Sequence, residues 1–291
     1  MTPWTRGLCW LLFASTLPAQ TAPPATIKPL PDIPTLMREV ESRQRAAEAA
    51  EKDYIYHSVQ TGQELDSHGA TKKTEVNEYD VLRIDGVPVQ KLVKKDGREL
   101  TPDEAKKESE RIDKDVAKAK EKREKEDAKG RQSDPRGNDE VTVSRLLELG
   151  SFTNPRRLQL AGRDTIAVDY TGDPNAKTRN RFEGVFRDLA GTVWIDEQDK
   201  ALVRIEGRFI HPFKVDGGIL ASVREGTSFT AQSSKINDEV WLPERIEGHG
   251  EARMLLFFKF NGGLTIQNSN YRKFKTSSTI TPIGILHDPP Q

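Results

Sequence analysis

The chain has 291 residues, with 45 Lys and Arg against 45 Asp and Glu, and it is 31% charged and 35% hydrophobic. A nucleic-acid-binding protein would concentrate excess basic residues on one face, so the balanced charge argues against that class and against a polybasic membrane-binding surface. The length corresponds to one or two domains and is sufficient to bury a core.

Residues 1–19 have the pattern of a secretory signal peptide. Arg6 supplies a positive charge, residues 8–14 form a short apolar stretch, and Leu17-Pro18-Ala19 is a small-residue cleavage end. The apolar stretch is shorter than the roughly 20 residues that span a bilayer, so no transmembrane span is predicted. The only cysteine, Cys9, lies in this segment. The exported chain is therefore expected to contain no disulfide and no thiolate site.

A proline-rich linker is predicted over residues 20–32. Six prolines fall between Pro18 and Pro34, and proline removes backbone donors and favours an extended chain. From Ile33 onwards the apolar residues recur with a helical period, and Asp32 stands at the start of the pattern. The sequence therefore predicts a helix over 33–51.

After this helix the period of the apolar residues changes to two. This alternation predicts one strand from Tyr54 and another over 76–84. Asp85-Gly86 follows the second strand and can adopt the positive φ that a tight hairpin turn requires. A β-hairpin is therefore predicted around this dipeptide.

Residues 98–131 contain 23 charged residues, 12 basic and 11 acidic. Thr101-Pro102-Asp103-Glu104 forms a capping box with proline at the first helical position, which predicts an inserted charged helix over 101–129. This helix is either a solvated helix held by Glu–Lys pairs one turn apart or a contact surface for an envelope protein partner. Its few apolar residues form a narrow stripe that docks one side at most: Ala105, Ile112, Val116 and Ala119.

A short amphipathic helix over 140–149 is predicted to end at Gly150, and strands and turns follow from Pro155 to Phe274. With the earlier strands this makes about eleven antiparallel strands, so the fold class is α+β and residues 33–275 form a single domain. Residues 276–291 are predicted to be a flexible tail. The predicted turns of this region are Gly162-Arg163-Asp164, residues 197–200, Asn237-Asp238 and Asn261-Gly262-Gly263.

The polar residues do not form a recognisable catalytic or metal site. No Gly-x-Ser-x-Gly elbow presents a nucleophile, and the carboxylates fall mostly at strand ends or on solvated positions. No catalytic residue, metal or cofactor is therefore predicted. The histidines show no spacing that would bring two of them together as metal ligands: His57, His68, His211, His249 and His287.

Residues 254–260, Met-Leu-Leu-Phe-Phe-Lys-Phe, are apolar on both faces of the predicted strand, with Lys259 as the one charged residue. A strand with one wet face should alternate, so both faces of this strand are expected to be covered. One face could then line an apolar cavity that accepts acyl chains, with Arg179 and Arg181 at its rim beside an anionic headgroup. The candidate lining residues are Trp194, Phe209, Phe229, Trp241, Leu256 and Phe258. An ordinary filled core is the alternative interpretation of these aromatic residues.

Four segments resemble secreted bacterial proteins of the LolA/LolB-like lipoprotein-localisation superfamily, and the resemblance covers about residues 33–274. They are Gly191-Thr192-Val193-Trp194-Ile195-Asp196, Arg204-Ile205-Glu206, Val240-Trp241-Leu242-Pro243 and Asn270-Tyr271-Arg272-Lys273-Phe274. In that superfamily a strand pair with a Trp-Ile-Asp-type turn precedes a later strand that ends in Leu-Pro. The resemblance implies a half-open antiparallel β-barrel of eleven strands with helices on its concave face, which holds the acyl chains of a lipid or lipoprotein in the periplasm. The chain departs from the family by inserting helix 101–129 and by lacking a match to a carrier's cargo-gating residue.

The first hypothesis is therefore a non-enzymatic protein of the periplasm or cell envelope that binds a lipid or lipoprotein acyl chain, with the helices at 33–51 and 140–149 as a lid. The alternative is an envelope protein-interaction, assembly or sensor module, in which helix 101–129 is the contact surface and the cavity is filled by its own side chains. Neither hypothesis requires nucleic acid or a cofactor.

Overall fold

The computed structural model describes residues 29–130, 143–179, 183–215, 221–254 and 258–274. The predicted signal peptide, most of the predicted linker and the predicted tail lie outside these ranges, as do residues 140–142 of the predicted short helix. Within these ranges, no helix has both the length and the apolar composition needed to span a bilayer.

Four helices and thirteen strands make up the described ranges. The helices are α1 (Ile33–Glu51), α2 (Pro102–Asp127), α3 (Val143–Leu149) and α4 (Gly184–Arg187). The strands are β1 (Tyr54–Leu65), β2 (Thr71–Ile84), β3 (Val87–Lys95), β4 (Arg98–Glu99), β5 (Gly150–Leu160), β6 (Arg163–Gly172), β7 (Leu189–Asp196), β8 (Leu202–Phe209), β9 (Phe213–Val215), β10 (Ala221–Val223), β11 (Ser228–Ile236), β12 (Val240–Met254) and β13 (Phe258–Lys273). The predicted helices at 33–51, at 101–129 and before Gly150 are present.

The described strands all belong to one antiparallel sheet. Eleven of them follow in the order β4-β3-β2-β1-β13-β12-β11-β8-β7-β6-β5, and the short β9–β10 hairpin attaches beside β12. The order ends in β4 on one side and in β5 on the other, so the sheet stays open. The predicted α+β class and half-open sheet of about eleven antiparallel strands are confirmed.

Tight turns occur where the sequence places residues that accept a positive φ. Asp85 and Gly86, which join β2 to β3, have φ angles of 51° and 78°. Asn237 and Asp238, which join β11 to β12, have φ angles of 51° and 57°. Paired left-handed residues match the twist of the adjoining strands. Both predicted turns are therefore confirmed.

The turn predicted at Asn261-Gly262-Gly263 is wrong, because these residues lie inside β13. Gly262 pairs with Gly250 on β12 and with Glu64 on β1. A Cβ atom added at Gly262 would lie 1.7 Å from the carbonyl oxygen of Gln63. The glycine therefore permits a close approach between neighbouring strands, and glycine inside a strand often marks such an approach. Residues 255–257, between β12 and β13, lie outside the described residues.

Helix α1 packs across one end of the sheet, and the surface that it covers is called the α1 face below. Near the C-terminal end of α1, Ala47 and Ala50 pack against a cluster formed by Tyr54, Val240 and Leu242. The N-terminal half belongs to the main core cluster, whose buried members are Leu36, Met37, Val40, Ile166, Val168 and Ile195. The strand residues of this cluster define the α1 face through the alternation of side chains along each strand.

Helix α2 packs on the opposite surface of the sheet, called the outer face below, at the edge strand β3. Its buried apolar residues Ile112, Val116 and Ala119 contact Val87 and Val89. Gln90, the next residue of β3, lies on the α1 face, where it accepts a hydrogen bond of 3.3 Å from Gln60 on β1. Val89 therefore lies on the opposite face of β3. Ala105, predicted to belong to the buried stripe, is exposed, and Glu108 takes the buried position instead.

Glu108 and Arg111 of α2 satisfy backbone groups on the edge of β3. Glu108 Oε1 accepts a hydrogen bond of 2.8 Å from the Leu92 N–H, and Arg111 donates one of 2.7 Å to the Gln90 carbonyl. Burial opposes ionisation of Glu108, but the hydrogen bonds from Arg111 and Leu92 outweigh it and hold the pKa of this carboxyl below its usual value. The helix thereby covers a sheet edge that would otherwise be open to pairing.

Helices α3 and α4 lie at the other end of the α1 face. Arg145 of α3 is 7% exposed. It donates hydrogen bonds of 3.0 and 2.8 Å to Glu183, which precedes α4 and is 4% exposed. This buried ion pair connects the two helices. Val185 and Phe186 of α4 pack against a third core cluster, whose buried members are Tyr170, Leu189, Phe209, Phe213 and Val215.

Candidate functional site

Two adjacent rows of paired residues cross the α1 face from β6 to β2. In both rows the only charged residue is Glu75, at the β2 end. The first row is Val168, Val193, Ile205, Ala231, Ile246, Ile266, Gln60 and Asn77, and the second is Tyr170, Gly191, Gly207, Phe229, Gly248, Leu264, Gly62 and Glu75.

In the β6–β8 part of these rows, the space above the strands is occupied by packed side chains. Val168 belongs to the core cluster under α1, and Tyr170 belongs to the third cluster. At Gly191 an added Cβ would lie 1.9 Å from the Glu206 carbonyl oxygen, and at Gly207 it would lie 2.5 Å from the Phe229 ring. Gly191 and Gly207 therefore allow the Glu206 carbonyl and the Phe229 ring to pack closely against the strands.

The β11–β1 part of the rows is open among the described residues. At Gly62 no heavy atom lies within 4 Å of the position that a Cβ would occupy, and at Gly248 the nearest is the Ser228 carbonyl oxygen at 3.8 Å. Leu264, between these two glycines, is 37% exposed although it lies in the middle of the sheet. We call this surface the trough. Its residues are Phe229, Ala231, Ile246, Leu264 and Ile266, together with Gly62 and Gly248.

The outer face of the same strands is charged. Arg204 pairs with Glu206 on β8 at 2.5 Å, and Arg245 pairs with Glu247 on β12 at 2.6 Å. Trp194 belongs to this face, because Val193 and Ile195 on either side of it pack against the α1 cluster. The Arg204 guanidinium lies 5.7 Å from the centroid of the Trp194 ring. The sheet therefore separates Trp194 from the trough.

The other predicted lining residues are distributed over three places. Phe209 is 8% exposed within the third cluster, and Phe229 packs against that cluster at the margin of the trough. Leu256 lies outside the described residues. Phe258 begins β13, paired with Met254, but its side chain is outside the described part. The lining role of these residues stays a prediction.

Trp241 lines a separate cavity of about 280 Å³ between the C-terminal half of α1 and the strand ends. Its indole N–H donates a hydrogen bond of 2.9 Å to Asp199. Asp199 also pairs with Arg163 at 3.0 Å and with Lys235 at 2.9 Å. Burial of Asp199 opposes ionisation, but the bonds from Lys235 and Trp241 outweigh it and lower the pKa. The cavity rim thus carries charges of both signs, which suits an acyl chain less well than the trough.

Two motif residues, Asp196 and Pro243, stabilise a turn and a strand end. Asp196 of the Trp-Ile-Asp segment is 1% exposed and accepts hydrogen bonds from the backbone N–H groups of Gln198 and Asp199, at 3.0 and 2.7 Å. The carbonyl oxygen of Pro243, in the Leu-Pro segment, accepts a hydrogen bond from the Tyr271 hydroxyl. These two contacts therefore stabilise a turn and a strand end.

Of the two predicted rim residues, only Arg179 lies within the described residues. The side chain of Arg179 is 66% exposed, and its backbone N–H donates a hydrogen bond of 2.6 Å to Glu183. Arg181 lies outside the described residues. In the described ranges there is no group of three or more His, Cys, Asp or Glu residues that could hold a metal ion.

Six of the seven trough residues are not among the predicted site residues: Gly62, Ala231, Ile246, Gly248, Leu264 and Ile266. The alternation of Leu264 and Ile266 with polar residues predicts that both side chains share one face of a strand. The pairing that brings the two glycines beside Leu264 depends on strands distant in the sequence, so no local pattern indicates it.

No protein-family model matches the chain, and no curated protein is detectably related to it in sequence. Several solved structures are similar to the chain. A putative outer membrane lipoprotein-sorting protein domain from Vibrio parahaemolyticus is 11% identical, with a TM-score of 0.35, over 83% of this chain and 94% of that one. A DUF1329 family protein from Desulfovibrio piger is 10% identical, with a TM-score of 0.33, over 82% and 92% of the two chains.

A LolA superfamily protein from Nitrosomonas europaea is 9% identical, with a TM-score of 0.28, over 80% of this chain and 93% of that one. At TM-scores below 0.5 we draw no conclusion about function from these three structures.

Proposed function

We propose that this chain is a non-enzymatic protein of the periplasm or cell envelope that binds the acyl chain of a lipid or lipoprotein in the trough. The observation that carries the proposal is the exposure of Leu264 in the middle of the sheet, between Gly248 and Gly62, the second of which has open space at its Cβ position. A large aliphatic side chain on a central strand is normally covered by a helix or by a second sheet. An apolar ligand would provide that cover.

The size and chemistry of the trough suit an acyl chain. From Phe229 on β11 to Gly62 on β1 the trough crosses four neighbouring strands, or about 14 Å at the usual strand spacing. Each buried methylene group contributes about 0.8 kcal/mol, so ten of them contribute about 8 kcal/mol, from which the cost of immobilising the ligand is subtracted. No charged side chain of the two rows interrupts this surface between β6 and β1.

The alternative function, a protein-interaction module built on α2, has less support. The buried stripe of α2 is already occupied by Val87 and Val89 of β3. The rest of the helix is dominated by charged side chains in local pairs, such as Lys125 with Glu121 at 2.6 Å. This arrangement favours the interpretation of α2 as a solvated helix that covers a sheet edge.

We expect dansyl-labelled dodecylamine to bind the full-length chain saturably, with about one molecule per chain, and to gain fluorescence on entering the apolar trough. Replacing Leu264 by Gln should weaken binding at least tenfold, because the trough loses apolar area and the new amide must be desolvated. Thr265→Gln is the matched control, since it places the same side chain on the outer face. Equal binding by wild type and Leu264→Gln would contradict the proposed site.

A further inference from the structure

Three polar atoms on strands β1, β2 and β13 are buried without a hydrogen-bonding partner among the described residues. They are Ser58 Oγ, Asn77 Oδ1 and Asn268 Oδ1. Ser58 is 1% exposed and Asn268 is 7% exposed. Buried polar groups almost always have partners, and leaving one unsatisfied costs about 1–3 kcal/mol. Three such atoms in one region therefore need an explanation.

Strand register places these atoms in one patch. Ser58 is paired with Asn268 on β13, and Gln60 is paired with Asn77 on β2. Because Ser58 and Gln60 are two residues apart in β1, their side chains lie on the same face of the sheet. We call these four residues, Ser58, Gln60, Asn77 and Asn268, the neutral patch.

The neutral patch adjoins the trough on the α1 face. Gln60 is paired with Ile266, and the next residue of β1 on this face, Gly62, is paired with Leu264. On the outer face of the same strands the polar groups are charged, since His57 contacts Glu78 at 3.2 Å and Asp80 at 3.3 Å. The buried, unpartnered neutral groups thus lie on the side of these strands that carries the trough.

The free atoms of the patch are mainly hydrogen-bond acceptors. The Nδ2 of Asn268 donates a hydrogen bond of 3.1 Å to the Pro243 carbonyl, which fixes the orientation of this amide and leaves Oδ1 as the free atom. Gln60 donates a bond of 3.3 Å to Gln90 through its own Nε2. A complementary ligand group must therefore bring an N–H or O–H donor. A carboxylate has no donor and would have to leave water for an uncharged surface.

We infer that the neutral patch binds an uncharged hydrogen-bond donor, a hydroxyl or an amide N–H, that the ligand carries next to its acyl chain. The inference rests on the proposed function, because the apolar part of the ligand occupies the trough. It assigns a ligand class: acyl chains attached to a neutral amide or hydroxyl group are preferred over free fatty acids. Ser58 and Asn268 are the residues that determine this preference.

Four competitors with the same acyl chain test the inference by displacement of dansyl-labelled dodecylamine. They are dodecanoate, methyl dodecanoate, dodecanamide and 1-dodecanoylglycerol. The amide and the glycerol ester should displace the probe at concentrations at least tenfold lower than the methyl ester, which lacks a donor, and dodecanoate should be the weakest. Ser58→Ala should reduce the preference for the amide over the methyl ester at least threefold. Ser269→Ala, on an exposed position of β13, should leave that preference unchanged.

The outcomes separate this inference from the proposed function. Equal displacement by the amide and the methyl ester would overturn the inference and leave acyl binding in the trough intact. A preference unchanged in Ser58→Ala would also overturn it, because the patch would then hold ordered water only. If neither the probe nor any competitor binds, both the inference and the proposed function are wrong.

Discussion

Replacing Arg145 by alanine is expected to lower the free energy of unfolding at pH 7 by about 3–5 kcal/mol, the cost of leaving one member of a buried ion pair without its partner. The side chains of Arg145 and Glu183 are 7% and 5% exposed. Arg145 also donates a hydrogen bond of 2.7 Å to the Lys177 carbonyl. Urea unfolding followed by tryptophan fluorescence measures the loss.

The pH dependence of the Arg145→Ala effect follows from Glu183. The hydrogen bonds from Arg145 lower the pKa of Glu183, and burial opposes them less strongly. A lowered pKa in the folded state stabilises the protein above the unfolded-state pKa, and this stabilisation is lost as the pH falls through the folded-state value. In the variant Glu183 loses the hydrogen bonds from Arg145, and protonation is expected to relieve the cost of its buried charge instead. The stability difference between wild type and variant should therefore be smaller at pH 4 than at pH 7.

Arg179→Ala is the control for this prediction, because its side chain is 66% exposed and surface substitutions usually change stability by less than about 0.5 kcal/mol. A loss in Arg145→Ala no larger than in Arg179→Ala would show that the ion pair does not hold α3 and α4 together.

Replacing Gly62 by phenylalanine is expected to weaken binding of dansyl-labelled dodecylamine at least tenfold without lowering the melting temperature. No heavy atom lies within 4 Å of the Cβ position at Gly62, so the new side chain has room where it leaves the backbone on the trough side of β1. Phenylalanine is also a better strand residue than glycine. The ring would occupy the space beside Leu264 that the acyl chain is proposed to fill.

Two comparisons make the Gly62 result specific. Thr61→Phe places the same ring on the outer face of β1 and should bind the probe like wild type. Gly191→Ala, in the same row of the sheet, should destabilise the fold, because its Cβ would lie 1.9 Å from the Glu206 carbonyl oxygen. A stably folded Gly62→Phe protein with undiminished probe binding would rule out the trough as the acyl site.

Local sequence signals predicted the elements whose boundaries depend on neighbouring residues. Helix α1 begins at Ile33 as predicted, where Asp32 accepts a hydrogen bond from the Thr35 N–H at 3.1 Å. Helix α2 begins at the predicted capping box, with Thr101 and Glu104 bonded reciprocally. The turn at Asp85-Gly86 is present because few other residues accept both positive φ angles.

Predictions that depend on pairing between distant strands were weaker. Asn261-Gly262-Gly263 has the composition of a turn, yet the glycines serve the close approach of β13 to β1 and β12. Trp194 was predicted to line the cavity because it is a large aromatic residue. Alternation along β7 places it on the outer face instead. The trough itself consists of aliphatic residues and glycines that become neighbours only through the register of four strands.

The most direct test of acyl binding is native mass spectrometry of the exported chain purified from a bacterial envelope, followed by organic extraction of bound molecules. We expect an added mass in near-stoichiometric amount, and extraction should yield an acylated molecule. A ligand-free mass, together with no uptake of dansyl-labelled dodecylamine in solution, would contradict acyl binding in the trough.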